Sequence, residues 1–378
     1  MRLWAWLFFL YLYSGSLAAQ YFPDRADWGR VTPAEVQMNT TAVNEAVEFA
    51  LNNEYSGQRD LRLAILEGFS REPDHQLLGP TRERGGPAGL IIKDGYIIAE
   101  WGDLQRVDMT FSVTKSYLST TAGLALDDGL IRSLQDPVEE YVWDGTFRGA
   151  HNQLINWEHL LHQTSDWSGA LFGLYDWADR PSRDEDFDGW RYRELQSPGT
   201  AFKYNDVRVN VLAYSLLQVW RKPLPMVLKE RIMDPIGAST TWRWMGYDNS
   251  WVVLDGARMK SVSGGGHHGG GMFINTLDQA RMGLLFARRG RWQERQLISE
   301  HWIDLLQTPA PAYGSYGYMW WLNQGPRKWE GLPEHIYYAA GFGGNFIVVD
   351  EQRDLVIVTR WLEPREIGEL VRKVYAAF

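Results

Sequence analysis

Near its C-terminal end the chain carries "NFIVVD" and "DLVIVTRW", two continuous apolar runs separated by the polar "EQR". Runs of this length without alternation predict two central strands buried on both faces. Earlier, "AGLIIKDGYIIAEWGD" (residues 88–103) places two runs rich in β-branched residues on either side of "KDG", which predicts a β-hairpin. From Thr110 to about Pro235 the period becomes mainly helical. "SVTKSYLSTTAGLALDDG" has small and apolar residues at helical spacing with Gly129 where a C-terminal cap would sit, and "VRVNVLAYSLLQVW" is an apolar-striped helix that stops before Lys222 and Pro223. Beyond residue 260, "SGGGHHGGGMFINTLDQARMGLLFARRG" predicts a glycine-rich approach to a helix, with Thr276 and Gln279 at capping-box spacing. "PREIGELVRKVYAAF" closes the chain as a helix, with Pro364 in its first turn and Ile367, Leu370, Val371 and Val374 on one face.

Strands, a long helical middle, then strands and a terminal helix predict an α/β (α+β) fold. One antiparallel sheet is built from both chain ends and flanked by helices, and the helical middle forms a second lobe. The α/β lobe is expected at about 20–109 and 256–378, the helical lobe at about 110–255, and the site in the cleft between them. The segment between the two long helices, "SDWSGALFGLYDWADRPSRDEDFDGW", has no clean period and reads as a long ordered loop.

Composition narrows the chemistry. At 378 residues and 45% hydrophobic the chain can fill a substantial core. A formal net charge of −9 with scattered lysines and arginines gives no footprint for phosphate backbones, so nucleic acid is not an expected partner. The first residues, "MRLWAWLFFLYLYSGSLAAQ", have Arg2, an apolar run from Leu3 to Tyr13, and small residues ending in Ala18 and Ala19. This is the order of a signal peptide spanning 1–19, and it predicts export to the periplasm or medium with no stable membrane anchor after cleavage; retention as an anchor is the alternative. Gln20 stands where a lipidated cysteine would be needed. With no cysteine in the chain, thiol nucleophiles and Cys-based metal sites are excluded. Serine chemistry, carboxylates and histidines remain.

"TFSVTKSYLS" (110–119) sets Ser112 three residues before Lys115 at a helix start. Residues three apart share a helix face, so the amine can meet the hydroxyl, and the free N–H groups of the first turn suit a developing oxyanion. For Lys115 to be half neutral at pH 7, its pKa must fall by roughly 3 pH units from about 10.4, at a cost of about 4 kcal/mol. Burial without a carboxylate partner supplies that, and no acid stands among its sequence neighbours. Ser-x-x-Lys alone also fits an ordinary surface helix.

Further motifs fall in a recognisable order. "SVTK" is followed by "LLHQTSDW" (160–167), "PGTAFKYNDVRVN", "MDPIGAST" (233–240), "GGGMFINTLDQARMG" (269–283) and "YYAAGFGGNFIVVD". Over roughly residues 88–362 this resembles the serine β-lactamase and penicillin-binding protein superfamily, in its branch of class C-like esterases and 6-aminohexanoate-oligomer hydrolases. The resemblance implies Ser112 as the acylated nucleophile, Lys115 as its proton partner, and Tyr204 as the tyrosine that shares the proton and protonates the leaving group. It implies an oxyanion hole from the N–H groups of Ser112 and Phe342, and substrate contacts at Gly341, Asp206 and Trp167. The family's lysine-threonine-glycine strand reads "AAG" (339–341), with only the glycine kept, and its tyrosine-x-asparagine reads "YND", with an acid at Asp206. Both changes predict a preference for esters or small linear amides over anionic β-lactams. The rival readings are β-lactamase or D-alanyl-D-alanine peptidase activity, and a non-catalytic ligand-binding module of the cell envelope.

No metal or cofactor is expected. "GGGHHGGG" lacks the lysine and hydroxyl of a phosphate loop, and adjacent His267 and His268 are poorly placed to chelate one ion, so a structural turn is expected there. The aromatic segment from Trp167 to Trp190 is read either as packing or as a substrate-facing rim.

Overall fold

The two apolar runs form the middle of the main sheet. In a computed structural model that describes residues 20–184 and 186–378, Asn345–Asp350 and Leu355–Arg360 are strands with every residue buried. Alternate side chains of a strand point to opposite faces, so complete burial requires cover on both. The predicted hairpin is Ala88–Lys93 with Tyr96–Trp101. Its turn residues Asp94 and Gly95 have φ of 54° and 86°, the left-handed pair that a tight hairpin turn needs.

Ala88–Lys93 pairs antiparallel with Leu355–Arg360, from Ala88 opposite Arg360 to Lys93 opposite Leu355. The two chain ends therefore share one antiparallel sheet. Its strand order is Trp321–Leu322, Tyr337–Gly341, Asn345–Asp350, Leu355–Arg360, Ala88–Lys93, Tyr96–Trp101. Helix Thr276–Ala287 packs on the central strands; at Gly283 a side chain would meet Val356 Cγ1 at 2.5 Å, so glycine sets that close approach. The terminal helix Ile367–Tyr375 buries Ile367, Leu370, Val371 and Val374, the face its spacing predicts, and packs against helix Thr40–Asn52.

Several features depart from the sequence reading. Asn275, not Thr276, caps the 276–287 helix, its side chain accepting from Asp278 N. The segment expected as a loop contains a short hairpin, Ala170–Leu171 with Leu174–Tyr175, and a helix at Phe187–Arg191. A small sheet joins Arg243–Met245, from the stretch assigned to the helical lobe, to Gly271–Ile274 and Asp108–Met109, so the lobes are intertwined. The expected signal segment, 1–19, lies outside the described residues. Among the described residues no helix is long and apolar enough to cross a membrane.

Candidate active site

Ser112 sits in a single 3-10 turn, Phe111–Val113, that runs into helix Thr114–Asp127. Phe111 holds φ at 47°, a costly conformation for a bulky L-residue that marks a constrained turn. The helix is not a surface helix, since every residue from Thr114 to Ala125 is buried. Its small polar residues make this possible: Ser116 and Ser119 donate to Met319 O and Tyr318 O at 2.9 and 2.7 Å, and a side chain at Gly123 would strike the Trp302 ring.

Lys115 is 1% exposed, and its Nζ donates to Ser112 Oγ at 2.8 Å and to Gly264 O at 3.4 Å. Contrary to the expectation of burial without a carboxylate, Asp206 Oδ1 lies 2.8 Å from the same Nζ. Burial pushes the Lys115 ammonium down, but Asp206 and Tyr204 more than offset this, and the net direction is upward. Lys115 is therefore an ammonium at neutral pH. Sequence neighbours could not show this, because the acid arrives from the start of helix Asp206–Trp220.

Asp206 is 1% exposed and does not line the cleft, so it is not in place to contact or repel a substrate. Its other oxygen, Oδ2, receives Arg180 at 2.8 Å and His267 Nδ1 at 3.1 Å. Burial would raise its pKa, but Arg180 and Lys115 hold the carboxyl well below the usual range. His267 Nε2 in turn meets Glu72 Oε2 at 2.9 Å. Burial disfavours the imidazolium, yet Asp206 and Glu72 push His267 up to about 9. Its ring stacks on Phe69 with centroids 4.1 Å apart.

Glu72, Asp179 and His267 have ligand atoms within 4.8 Å of one another, and Glu72 Oε2 and His267 Nε2 face each other at 2.9 Å. Asp179 binds Arg180 through Oδ1 at 2.6 Å and accepts the backbone N–H groups of Asp206 and Val207 through Oδ2. The trio belongs to the ion-pair cluster around Asp206.

Ser112 opens into a cleft of about 540 Å³, walled mainly by aromatic rings including Trp321, Trp329, Tyr338, Phe342 and Phe346. Tyr204 lines the same cleft, stacked on Trp321 with centroids 5.7 Å apart. Lys115 Nζ and the Arg180 guanidinium approach the Tyr204 ring at 5.0 and 5.3 Å. Arg327 lies over Trp321 at 4.3 Å. Arg180, Arg327 and Lys328 line the cleft, and among the described residues no carboxylate does.

At the end of strand Tyr337–Gly341, a side chain on Gly341 would lie 2.1 Å from Thr110 O and 3.2 Å from Ser112 N. Glycine thus lets this strand close on the Ser112 turn, and Phe342 lies next to it in the cleft. Trp167 does not reach the cleft: it is 2% exposed and donates from Nε1 to Thr146 O at 2.9 Å. From the aromatic 167–190 segment it is Arg180 that reaches the cleft wall. Sequence reasoning missed Arg180, Asp179 and Glu72, and it read the glycine-rich loop as a turn only. The signal for that loop was in the glycines, which crowd against the site: a side chain at Gly265 would meet Phe111 O at 2.0 Å, and one at Gly266 would meet Asp206 Cγ at 2.5 Å.

The Beta-lactamase family model matches residues 105–360. Among solved structures, EstCE1, a hydrolase with promiscuous acyltransferase activity, is 16% identical over 89% of this chain and 98% of its own, with a TM-score of 0.58. A penicillin-binding protein homologue from Caulobacter crescentus is 17% identical over 85% of this chain and 99% of its own, with a TM-score of 0.58. A Bacillus anthracis structure described as a 6-aminohexanoate-dimer hydrolase is 14% identical over 94% and 97%, with a TM-score of 0.54. At these identities the likeness is one of fold. No curated protein matches the chain in sequence.

Proposed function

The chain belongs to the Beta-lactamase family, and on that premise we propose that this serine hydrolase cleaves carboxylic esters or small linear amides through an acyl-enzyme on Ser112. The observation that carries the reading is the 2.8 Å contact of Lys115 Nζ with Ser112 Oγ, in a cleft that Tyr204 also lines. Ser112 Oγ attacks the substrate carbonyl carbon, and the serine proton passes to the Tyr204 oxygen as the new C–O bond forms. Lys115, an ammonium already donating to Oγ, steadies the negative charge on that path. The N–H groups of Ser112 and Phe342 take the oxyanion. Collapse breaks the bond to the leaving oxygen or nitrogen, which receives the proton from Tyr204. Water then releases the acid by the same steps in reverse roles.

The aromatic walls support an apolar or aromatic acyl group. Ala340 lines the cleft within the "AAG" strand that lacks the family lysine, which supports esters over β-lactams. Asp206 does not repel anionic substrates from the cleft, because its carboxylate is buried in ion pairs with Lys115 and Arg180. The second reading, β-lactam or D-alanyl peptide hydrolysis, is favoured by one observation: Arg327 and Arg180 line the cleft without an acid beside them on its wall. Export, expected from the first nineteen residues, belongs to the proposal and is checked by N-terminal sequencing of the protein from the culture's periplasmic and medium fractions.

A fluorophosphonate probe tests the catalytic assignment. Wild type is expected to be labelled and Ser112→Ala to remain unlabelled; labelling that persists in the variant overturns it. Ranking p-nitrophenyl esters against a cephalosporin by kcat/KM decides between the two substrate readings.

A further inference from the structure

We propose that Asp206, His267 and Glu72 are positioning residues, a buried chain of counter-ions that fixes Lys115 as an ammonium and so leaves the serine proton to Tyr204. The inference rests on the proposed roles of Ser112, Lys115 and Tyr204, and it adds three residues that touch neither the nucleophile nor the substrate.

The geometry is a continuous line of charged contacts leading away from the cleft. Lys115 Nζ meets Asp206 Oδ1 at 2.8 Å, Asp206 Oδ2 meets His267 Nδ1 at 3.1 Å, and His267 Nε2 meets Glu72 Oε2 at 2.9 Å. The four side chains are between 1% and 9% exposed. Arg180 and Asp179 complete the group, with Arg180 bound to both Asp179 and Asp206. Three carboxylates, Glu72, Asp179 and Asp206, face Lys115, Arg180 and the imidazole. The cluster is neutral only when His267 carries its second proton. Buried charges persist only when paired, so the composition selects the imidazolium.

From every side the imidazole meets a group that agrees with this. Asp206 and Glu72 touch its two nitrogens, Asp179 acts through space, and Phe69 covers one face. His268, its ring 4.1 Å away, is pushed down by burial and by the His267 charge. The chain also explains the glycine run. Gly265 has φ of 82°, and Gly266 lies against the Asp206 carboxyl with no room for a side chain. Bulkier residues there would keep His267 from reaching Asp206.

The consequence for Lys115 is direct. An amide at position 206 would leave a buried ammonium without its counter-ion, and burial would then drive it toward the neutral amine. Neutral Lys115 would compete with Tyr204 for the serine proton.

The test reads the charge of Lys115 without using activity. The enzyme is prepared with 13Cε-lysine, the Lys115 resonance is assigned by its loss in Lys115→Arg, and its shift is followed from pH 6 to pH 10. In wild type the resonance is expected to stay at the ammonium position throughout. In Asp206→Asn it is expected to titrate within that range, whereas in His267→Gln, which removes a cation and leaves Asp206 Oδ1 2.8 Å from Nζ, it should stay at the ammonium position. A Lys115 resonance that stays charged to pH 10 in Asp206→Asn overturns the proposal. Should that variant not fold, a Lys115 resonance that stays charged to pH 10 in Asp206→Ser overturns the proposal equally.

Kinetics with p-nitrophenyl butyrate give the second readout. Because Asp206 does not line the cleft, Asp206→Asn should lower kcat at pH 7 by roughly 100-fold or more, the range usual for disturbed proton transfer, with KM nearly unchanged. It should also acquire a new limb in its pH profile. A wild-type kcat and pH profile in this variant contradicts the positioning role. If fluorophosphonate labelling shows that Ser112 is not the nucleophile, the NMR titration still stands by itself, so failure of the catalytic reading and failure of the counter-ion chain are told apart.

Discussion

Raising the pH through the titration of His267 perturbs one buried group whose surroundings are known atom by atom. Burial works against the imidazolium, but its contacts with Asp206 and Glu72 prevail and lift it from the ordinary 6.5 to about 9. A group held above its unfolded value stabilises the fold fully below pH 6.5, and the contribution is lost as pH rises through about 9. At roughly 1.4 kcal/mol per pH unit, the difference comes to about 3 kcal/mol. Set against the 5–15 kcal/mol typical of folded domains, that is a measurable share. Urea unfolding of wild type and His267→Gln at pH 6, 7.5, 9 and 10 isolates it, since groups common to both proteins cancel. The variant should be less stable by about 3 kcal/mol at pH 6, and the gap should close by pH 10. A gap that is the same at pH 6 and pH 10 would refute the linkage and, with it, the imidazolium in the cluster.

Three further outcomes follow from the cleft. Tyr204→Phe keeps the ring on Trp321, so the melting temperature should hold while kcat falls roughly 100-fold or more, the usual loss for a proton-transfer group. Gly341→Ala puts a methyl 2.1 Å from Thr110 O; overpacking of this kind should cost about 1–3 kcal/mol in urea unfolding and lower kcat by shifting the strand away from the Ser112 turn. Trp321→Ala removes the ring between Tyr204 and Arg327, and the loss of about 1 kcal/mol of stacking should raise KM for aromatic acyl esters severalfold, with acetate esters little affected.

The main sheet was legible in the sequence because its central strands are unbroken apolar runs, and the terminal helix because its apolar residues recur at 3 and 4. The Ser112 helix was legible for another reason: its small residues sit among apolar ones, the composition of a helix packed on all sides. The charge cluster was not legible. Glu72, Asp179, Asp206 and His267 come from four separate stretches, and nothing in the spacing of one predicts the others. The sequence neighbours of Lys115 predict an amine lowered by burial, whereas a carboxylate delivered from 91 residues along the chain keeps it charged. Trp167 shows the limit of composition: a segment dense in aromatics does not reveal which ring turns inward, and this one packs in the core while Arg180 reaches the cleft.

The central claim, an acyl-enzyme on Ser112, is tested most directly by acid-quenching the enzyme during turnover of a slow aromatic ester and measuring the mass of the intact protein. The account predicts a population heavier by one acyl group minus a hydrogen, mapped to the peptide that contains Ser112 and absent from Ser112→Ala. An acyl adduct on another residue, or wild-type turnover by Ser112→Ala, would contradict it.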